Sequence, residues 1–121
     1  MPSEVQPLRR VVTISAFDKD AKALKKKHVD LKRMIPAITA IMNRDKNLLN
    51  GKYRDHALTG DWKGYRELHV DGDWLLVYRI EGDTLTLVLT RTGSHDDLFT
   101  SRADRKTIRS YSTASRTSLG L

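Results

Sequence analysis

The fold is decided by residues 65–92, YRELHVDGDWLLVYRIEGDTLTLVLTRT, in which apolar and β-branched segments alternate with two turn signals. The turn signals are Asp71-Gly72 and Gly82-Asp83, and both pairs contain residues that accept the positive φ angles of tight hairpins. The segments around them have the composition of strands. We therefore predict an antiparallel meander of three strands, at residues 65–70, 73–80 and 84–92.

The residues before this meander predict one strand and two helices. Residues 8–14 are rich in β-branched side chains and are expected to form the opening strand. A helix is predicted from Ser15, because apolar residues then recur with a helical period while the lysines lie mostly beyond that stripe. Asp30 is placed to cap a second helix, which Pro36 is expected to kink because proline lacks the backbone donor. Residues 47–60 are predicted to be a loop.

These elements predict an α+β fold of one small domain. The N-terminal strand and the two helices precede the three-stranded antiparallel meander, which completes the sheet, and a short C-terminal helix or tail follows. Residues 1–99 form the predicted domain. Residues 100–121 form a basic, Ser/Thr-rich C-terminal extension with five basic residues and one acidic residue, and its few large apolar side chains predict weak structure.

The composition limits the classes of function. The chain has 121 residues, with 22 Lys and Arg against 15 Asp and Glu, and its net charge of +7 favours a polyanionic partner such as a nucleic acid. It has no cysteine, which excludes disulfides and thiolate metal sites. No apolar stretch approaches the roughly 20 residues that span a bilayer, and no secretory signal is recognisable. We expect a cytoplasmic protein that does not bind membranes.

Three histidines mark the candidate chemistry, because His56, His69 and His95 lie in strand-like or loop-like sequence beside acidic, aromatic or basic residues. Imidazole titrates near neutrality, so converging histidines donate and remove protons without a metal or a cofactor. Histidines with an aspartate also make a zinc ligand set, but the separations of 13 and 26 residues match no recognised ligand spacing. We predict neither a metal nor a cofactor.

A two-residue turn at 71–72 predicts which side chains share a face of the sheet. In this register His69 lies opposite Trp74, so Glu67, His69 and Trp74 occupy one face. The second turn then places Arg91 opposite Trp74, on the same face. The prediction depends on the register, because a slip of one residue moves every side chain of a strand to the other face.

Residues 55–78, DHALTGDWKGYRELHVDGDWLLVY, and 91–99, RTGSHDDLF, resemble the YafQ branch of the RelE-type bacterial toxins. The preceding strand and two helices fit that family's order of elements, so the resemblance covers nearly all of residues 8–99. It implies a RelE-like fold and the activity of an mRNA interferase that cleaves messenger RNA on the ribosome. It also implies a co-encoded antitoxin as partner. The C-terminal extension lies outside the resemblance.

The resemblance implies functional roles for all three histidines. The D-H-x-L segment supplies His56, the strand after it ends with His69, and the R-T-G-x-H segment supplies His95. The family also uses a carboxylate two residues before the strand histidine. That residue is commonly Asp, but it is Glu67 here, so the charge is kept on a longer side chain.

The remaining positions that the resemblance implies are Asp73, Trp74 and Phe99. Asp73 and Trp74 form the Asp-Trp pair after the hairpin, and Phe99 is the aromatic residue four positions beyond the last histidine. Trp74 and Phe99 are expected to stack or pack against bases, which is how proteins bind unpaired RNA. Their plainer alternative is the core, and Asp73 has the alternative of bonding to turn amides.

RNA carries its own nucleophile, because the 2′-hydroxyl can attack the adjacent phosphorus if a base, an acid and positive charge are supplied. We predict His95 as the acid, since two aspartates follow it and negative charge favours an imidazolium. The base is Asp73 or His69, and the sequence does not separate them. His56 and Arg91 are expected to steady the phosphate.

Two other classes of function fit a basic chain of this size. One is a module that binds nucleic acid or the ribosome without cutting RNA. The other is a toxin of the related ParE type, which targets DNA gyrase and lacks this set of histidines. A third reading, an inactive protein that only binds an antitoxin, has no support from the sequence, since every matched position keeps a competent side chain.

Overall fold

A computed structural model of the chain describes residues 6–99 and 116–119, and within them six strands form one sheet in the order β2-β3-β4-β5-β1-β6. The strands are β1 (Arg10–Ile14), β2 (His56–Ala57), β3 (Arg66–Asp71), β4 (Trp74–Glu81), β5 (Thr86–Ser94) and β6 (Arg116–Leu119). The helices are α1 (Ser15–Lys26), α2 (Ile35–Met42), α3 (Lys46–Asn50) and α4 (His95–Phe99). The arrangement confirms the predicted α+β fold.

The opening strand lies in the interior of the sheet, beside the last strand of the meander. β1 runs parallel to β5, with Arg10 opposite Thr86 and Thr13 opposite Leu89. The neighbouring pairs β2–β3, β3–β4 and β4–β5 are antiparallel. The predicted meander is therefore confirmed as β3, β4 and β5, with bounds one or two residues later than predicted.

The second predicted helix is two elements. The Asp30 side chain accepts a hydrogen bond from the backbone N–H of Lys32 and caps a 3-10 turn, Leu31–Met34, which precedes α2. Pro36 lies in the first turn of α2, where a missing N–H leaves no intrahelical bond unmade. The predicted cap is confirmed, but the predicted kink is wrong because Pro36 marks the start of the α-helix.

The segment predicted as a loop, residues 47–60, contains part of a helix and a short strand. Asp45 caps α3 by accepting a hydrogen bond from the backbone N–H of Leu48 at 3.2 Å. The strand β2 follows and pairs with β3. Two residues are too few to show an alternating pattern, so the sequence could not reveal β2.

The predicted register of the first hairpin is wrong by one residue. His69 lies opposite Leu75, and Trp74 lies opposite Asp71, because the pairing shifts between His69 and Asp71. This irregularity adds a residue to β3 that no turn signal in the sequence predicts. Trp74 therefore lies on the face opposite to Glu67 and His69.

The register of the second hairpin also differs from its prediction. The observed register leaves Arg91 on the same face of the sheet as Glu67 and His69. Arg91 lies opposite Val77, whereas Trp74 lies opposite Ser94, and the register shifts again just after Val77. Val77 also lies opposite Glu67. Arg91 and Glu67 therefore share a face, from which Trp74 is absent.

Helical elements pack against one of the two faces of the sheet. The face that bears Trp74, Leu76 and Tyr78, called here the helix face, packs against the 3-10 turn and α2, and Thr92 on this face lies 3.7 Å from the sulfur of Met34. The face that bears Glu67, His69, Val77 and Arg91 is called here the histidine face. The central strands are buried on both faces, since Val77 and Tyr78 have exposed fractions of 0% and 1%.

The last described strand comes from the C-terminal extension. β6 pairs antiparallel with β1, from Val11 opposite Leu119 to Ile14 opposite Arg116, and forms an edge of the sheet. This strand differs from the weak structure predicted for the extension. The division between residues 1–99 and 100–121 stays a prediction, and residues 100–115 lie outside the described part. Every helix that the structure describes is too short or too polar to cross a membrane.

Candidate active site

One row of side chains crosses four strands on the histidine face. His56 on β2 lies opposite Glu67 on β3, Glu67 lies opposite Val77 on β4, and Val77 lies opposite Arg91 on β5. Directly opposed residues on antiparallel strands have their side chains on the same face. Three of the predicted site residues, His56, Glu67 and Arg91, are therefore aligned by the strand register.

His56 and Glu67 form an imidazole–carboxylate pair. Nε2 of His56 lies 3.3 Å from Oε1 of Glu67, and the carboxylate side chain is 9% exposed while the imidazole is 50% exposed. The other ring nitrogen, Nδ1, lies 3.0 Å from the carbonyl oxygen of Arg54. A carbonyl oxygen only accepts, so Nδ1 carries a proton and the ring is held at both ends. The longer Glu67 side chain thus reaches its histidine.

His69 is held at the hairpin end of β3, on the same face as Glu67. Its Nδ1 donates to the carbonyl oxygen of Gly72 at 3.2 Å, and its backbone N–H donates to the carbonyl oxygen of Tyr53 at 2.8 Å. With its proton on Nδ1, the neutral ring presents the lone pair of Nε2, which is the form that removes a proton. The geometry favours His69 as a base.

His95 begins α4, directly after β5. The helix folds back over the end of its own strand, because a Cβ at Gly93 would lie 3.5 Å from Cδ2 of Leu98. Gly93 has a φ of 152°, which favours glycine, and Leu75 links it across the sheet to His69. The Cα atoms of His69 and Gly93 are therefore about 10 Å apart, two strand spacings. His95 and His69 lie at the same end of the sheet.

Asp73 and Trp74 line a cleft of about 490 Å³ at this end of the sheet. Arg33, Ser94 and Asp96 also line it. The indole N–H of Trp74 donates to the Thr92 hydroxyl at 2.8 Å, and the Arg33 guanidinium lies 5.9 Å from the centre of its ring. Arg33 was not predicted from the sequence, because a basic residue in a helical segment looks like any solvated charge.

Arg91 is already engaged by a carboxylate. Its Nε and one terminal nitrogen donate to the two oxygens of Asp20, at 2.6 and 3.1 Å, and the backbone N–H of Thr92 donates to the same carboxylate. The bidentate contact orients the guanidinium and offsets much of its charge. No sequence pattern points to Asp20, because its separation from Arg91 in the chain is 71 residues.

The structure gathers the predicted residues into two adjoining groups. The first is the row with His56, Glu67 and Arg91, and the second is the hairpin end with His69, Asp73, Trp74 and His95. Glu67 and His69 join the groups, because residues two apart on one strand share a face and lie about 7 Å apart. Asp73 and Trp74 are the exceptions in this second group, since both line the cleft and Trp74 lies on the helix face. The side chain of Phe99 lies outside the described part of the chain.

A metal ion would need more ligands than the His56 and Glu67 pair supplies. In the parts of the chain that the structure describes, no group of three or more His, Asp or Glu side chains is arranged to hold one. The His56 and Glu67 pair supplies only two ligands, and a structural or catalytic zinc site uses at least three protein ligands. The pair instead fixes the orientation of the His56 imidazole on the histidine face.

Comparison with known proteins gives one consistent family. The family model of the bacterial toxin of type II toxin-antitoxin system, YafQ, matches residues 9–100. The mRNA interferase toxin YafQ of Escherichia coli strain K12 is 39% identical over 83 residues, which are 69% of this chain and 87% of that protein. The putative toxin YafQ of Haemophilus influenzae is 39% identical over 80 residues, 64% of this chain and 76% of that protein.

Solved structures agree with the sequence relatives. YafQ in the crystal structure of the E. coli DinJ-YafQ complex is 37% identical, with a TM-score of 0.64, over 75% of this chain and 98% of that chain. The crystal structure of a metal-bound toxin from Helicobacter pylori is 42% identical, with a TM-score of 0.63, over 72% of this chain and 94% of that chain. Nearly the whole length of these chains is matched by about three quarters of this one.

Proposed function

The chain belongs to the YafQ family of toxins from bacterial type II toxin-antitoxin systems, and from this membership we propose that it is an endoribonuclease that cleaves messenger RNA on the ribosome. The observation that carries the proposal is the His56 and Glu67 pair, aligned on one sheet face with His69 in a relative of an mRNA interferase. In this arrangement His69 supplies proton transfer at neutral pH, while His56, oriented by Glu67, is placed to contact the phosphate.

The proposed reaction uses the 2′-hydroxyl of the RNA as nucleophile. His69 takes the proton of this hydroxyl through Nε2, while the O2′–phosphorus bond forms and the bond from phosphorus to the departing 5′ oxygen breaks. His95 gives a proton to that oxygen. The products are a 2′,3′-cyclic phosphate and a 5′-hydroxyl. Asp73 is the alternative base, and it differs from His69 in lining the cleft rather than the histidine face.

The charge that develops on the phosphate requires positive or hydrogen-bonding groups nearby. His56 is proposed for this role, because Glu67 and the Arg54 carbonyl fix its ring and leave half of the side chain exposed. Arg91 is proposed as a second group, oriented by Asp20. Trp74 and Phe99 are proposed to hold the bases, with Trp74 acting from the cleft beside the hairpin.

We also propose that cleavage needs no metal ion, although a similar structure is that of a metal-bound toxin. General acid and base catalysis by positioned side chains typically contributes about 10²- to 10⁴-fold, and electrostatic stabilisation adds to it. Cleavage is therefore expected to persist when EDTA removes Zn²⁺ and other transition metals at a free Mg²⁺ concentration that keeps the ribosomes assembled, and to stay unchanged when that free Mg²⁺ concentration is varied over the range in which they remain intact.

The proposed partner is a cognate antitoxin protein, since a similar chain has been solved in the DinJ-YafQ toxin-antitoxin complex. A net charge of +7 favours an acidic or amphipathic segment that orders on contact. We propose that this segment covers the histidine face or blocks entry to the ribosome. The proposed site of action is the cytoplasm, where translating ribosomes are found.

Primer extension on messenger RNA after brief expression tests the proposed function. The wild-type chain is expected to produce discrete cuts within translated frames, whereas the His95→Ala and His69→Gln variants should each lose most of them. Histidine variants that cut as the wild type does would contradict catalysis at this site. Ribosome binding without cuts in the wild type would indicate a non-catalytic binding module instead.

A further inference from the structure

Two groups of polar side chains lie on opposite faces of the same strands. The residues of one group directly precede those of the other group in the chain. On the histidine face, His56 meets Glu67. On the helix face, the residues that precede them in the chain, Asp55 and Arg66, form an ion pair that also includes Tyr78 on β4. The site residues and this network of Asp55, Arg66 and Tyr78 are therefore neighbours along the same strands.

The network is tightly bonded and partly buried. Nε and a terminal nitrogen of Arg66 lie 2.7 and 2.6 Å from one oxygen of Asp55, and the hydroxyl of Tyr78 donates to the other oxygen. The Asp55 side chain is 3% exposed. Burial disfavours the charge of Arg66, but the hydrogen bond and charge of Asp55 outweigh it and raise the pKa of the guanidinium. Both oxygens of the carboxylate are thus engaged.

The strand that presents His56 is short and is attached to the sheet on one side, by its pairing with β3. β2 has only two residues, both of them exposed, and it lies at an edge of the sheet. Before it, Arg54 has a positive φ of 49°, and the backbone N–H of Asp55 donates to the carbonyl oxygen of Leu49 at 2.8 Å. The Asp55 side chain adds a link from this segment to β3, through Arg66, and to β4, through Tyr78.

We propose that Asp55, Arg66 and Tyr78 are positioning residues that hold His56 in place from the opposite face of the sheet. The proposal rests on the proposed function for its effect on catalysis. The network touches no substrate on the histidine face, so it acts only through the placement of the imidazole. Its loss is expected to lower the rate of the chemical step while substrate affinity stays unchanged.

The space beside the network allows a substituted side chain to move without disturbing the rest of the fold. It borders a cavity of about 480 Å³ on the helix face, lined also by Ile41 and Leu49. An altered side chain at position 55 can turn into this space. The fold is therefore expected to survive a conservative change, while β2 and its histidine shift.

Two shape-conserving variants of the full chain test the proposal, Asp55→Asn and Tyr78→Phe. Each weakens the network without removing a side chain, so one remains informative if the other fails to fold. Glu81→Gln is the matched control, because Glu81 makes a comparable 2.6 Å ion pair with Arg79 on the same strand, outside the network. The readouts are the ¹⁵N chemical shifts of the His56 imidazole and the single-turnover rate of mRNA cleavage on ribosomes.

The proposal predicts that both network variants change the His56 shifts and lower the rate by about 10- to 100-fold, as small misplacements of catalytic groups do. The apparent affinity for programmed ribosomes should stay within about twofold of wild type, and Glu81→Gln should change neither readout. Unchanged His56 shifts in a folded network variant would overturn the proposal, as would changed shifts with an unchanged rate. The imidazole spectrum needs no activity, so it tests the positioning even if the proposed function fails.

Discussion

At the scale of single residues, the partners of each imidazole nitrogen separate the roles of the histidines. His69 has its Nδ1 bonded to the Gly72 carbonyl, which leaves Nε2 as the nitrogen that accepts a proton. His56 has a carboxylate at Nε2 and a carbonyl at Nδ1. With both ring nitrogens engaged, His56 is proposed to contact the phosphate rather than to remove a proton. We therefore propose different tasks for these two histidines, based on the groups that contact them.

The identity of the base is tested by comparing His69→Gln with Asp73→Asn. We expect His69→Gln to lower the single-turnover cleavage rate by about 10²- to 10⁴-fold, the usual contribution of a general base, and Asp73→Asn to have a much smaller effect. His28→Gln is the control, because His28 lies just beyond α1 and is exposed. A larger loss for Asp73→Asn than for His69→Gln would assign the base to Asp73.

Tyr78 predicts a dependence of stability on pH. Burial, with the hydrogen bond to Asp55, raises the pKa of the Tyr78 phenol well above its ordinary value of 10.0. Above about pH 10 the unfolded chain releases this proton while the folded chain keeps it, so the stabilisation present below that pH is lost as the pH rises. Chemical denaturation between pH 8 and 11 should show a shallower loss for Tyr78→Phe than for wild type. Parallel curves would contradict this ionisation difference.

Some residue placements could be predicted from the sequence and others could not. The resemblance identified His56 and Glu67, and the structure brings them into contact. The role of Asp55 was invisible, because a carboxylate before a loop histidine looks like a turn residue until Arg66 and Tyr78 are seen beside it. Contacts between residues distant in the chain depend on the register of strands.

At the scale of elements, the irregularities of β3 and β5 decide which side chains share a face. The strands and turns could be predicted from local signals, which are strong at Asp71-Gly72. The shift between His69 and Asp71 adds one residue to β3, and it moved Trp74 to the helix face. A bulge has no signal in a single sequence, since it depends on how the two hairpins pack together. Local patterns therefore predicted the three strands of the meander but not their register.

The pairing of β6 with β1 leads to a prediction about stability and self-association. It covers the outer edge of β1, which would otherwise present unpaired backbone groups to other chains. Deleting residues 116–121 is expected to lower the melting temperature and to cause concentration-dependent self-association, measured by light scattering. A control that deletes only residues 120–121 should behave as wild type. A monomeric 116–121 deletion variant with unchanged stability would contradict a structural role for β6.

At the scale of the whole molecule, the charge is concentrated at one end of the chain. Residues 100–121 have five basic residues and one acidic residue, so this segment carries 5 − 1 = +4 of the total net charge of +7. The family match ends at residue 100, so this charge belongs to the extension rather than to the shared fold. We propose that the extension adds contacts to ribosomal RNA or to the antitoxin.

The salt dependence of ribosome binding tests the contribution of the extension. Every phosphate that the extension neutralises is expected to steepen the slope of log K against log salt concentration by about 0.7 to 0.9. A full-length chain in which Arg102, Arg105, Lys106 and Arg109 are replaced by glutamine keeps β6, and it should bind more weakly at low salt and show a flatter slope than the wild-type chain. Equal slopes would mean that the basic extension does not contact the ribosome, and antitoxin binding measured in parallel would show whether it contacts that partner.

The RNA itself supplies the nucleophile in the proposed reaction, so the most direct test alters the RNA rather than the protein. A messenger with a single 2′-deoxynucleotide on the 5′ side of the cut should resist cleavage on the ribosome, while the all-ribose messenger gives a 2′,3′-cyclic phosphate and a 5′-hydroxyl. Cleavage of the deoxy-substituted messenger at the same position, with a 5′-phosphate on the product, would contradict the account.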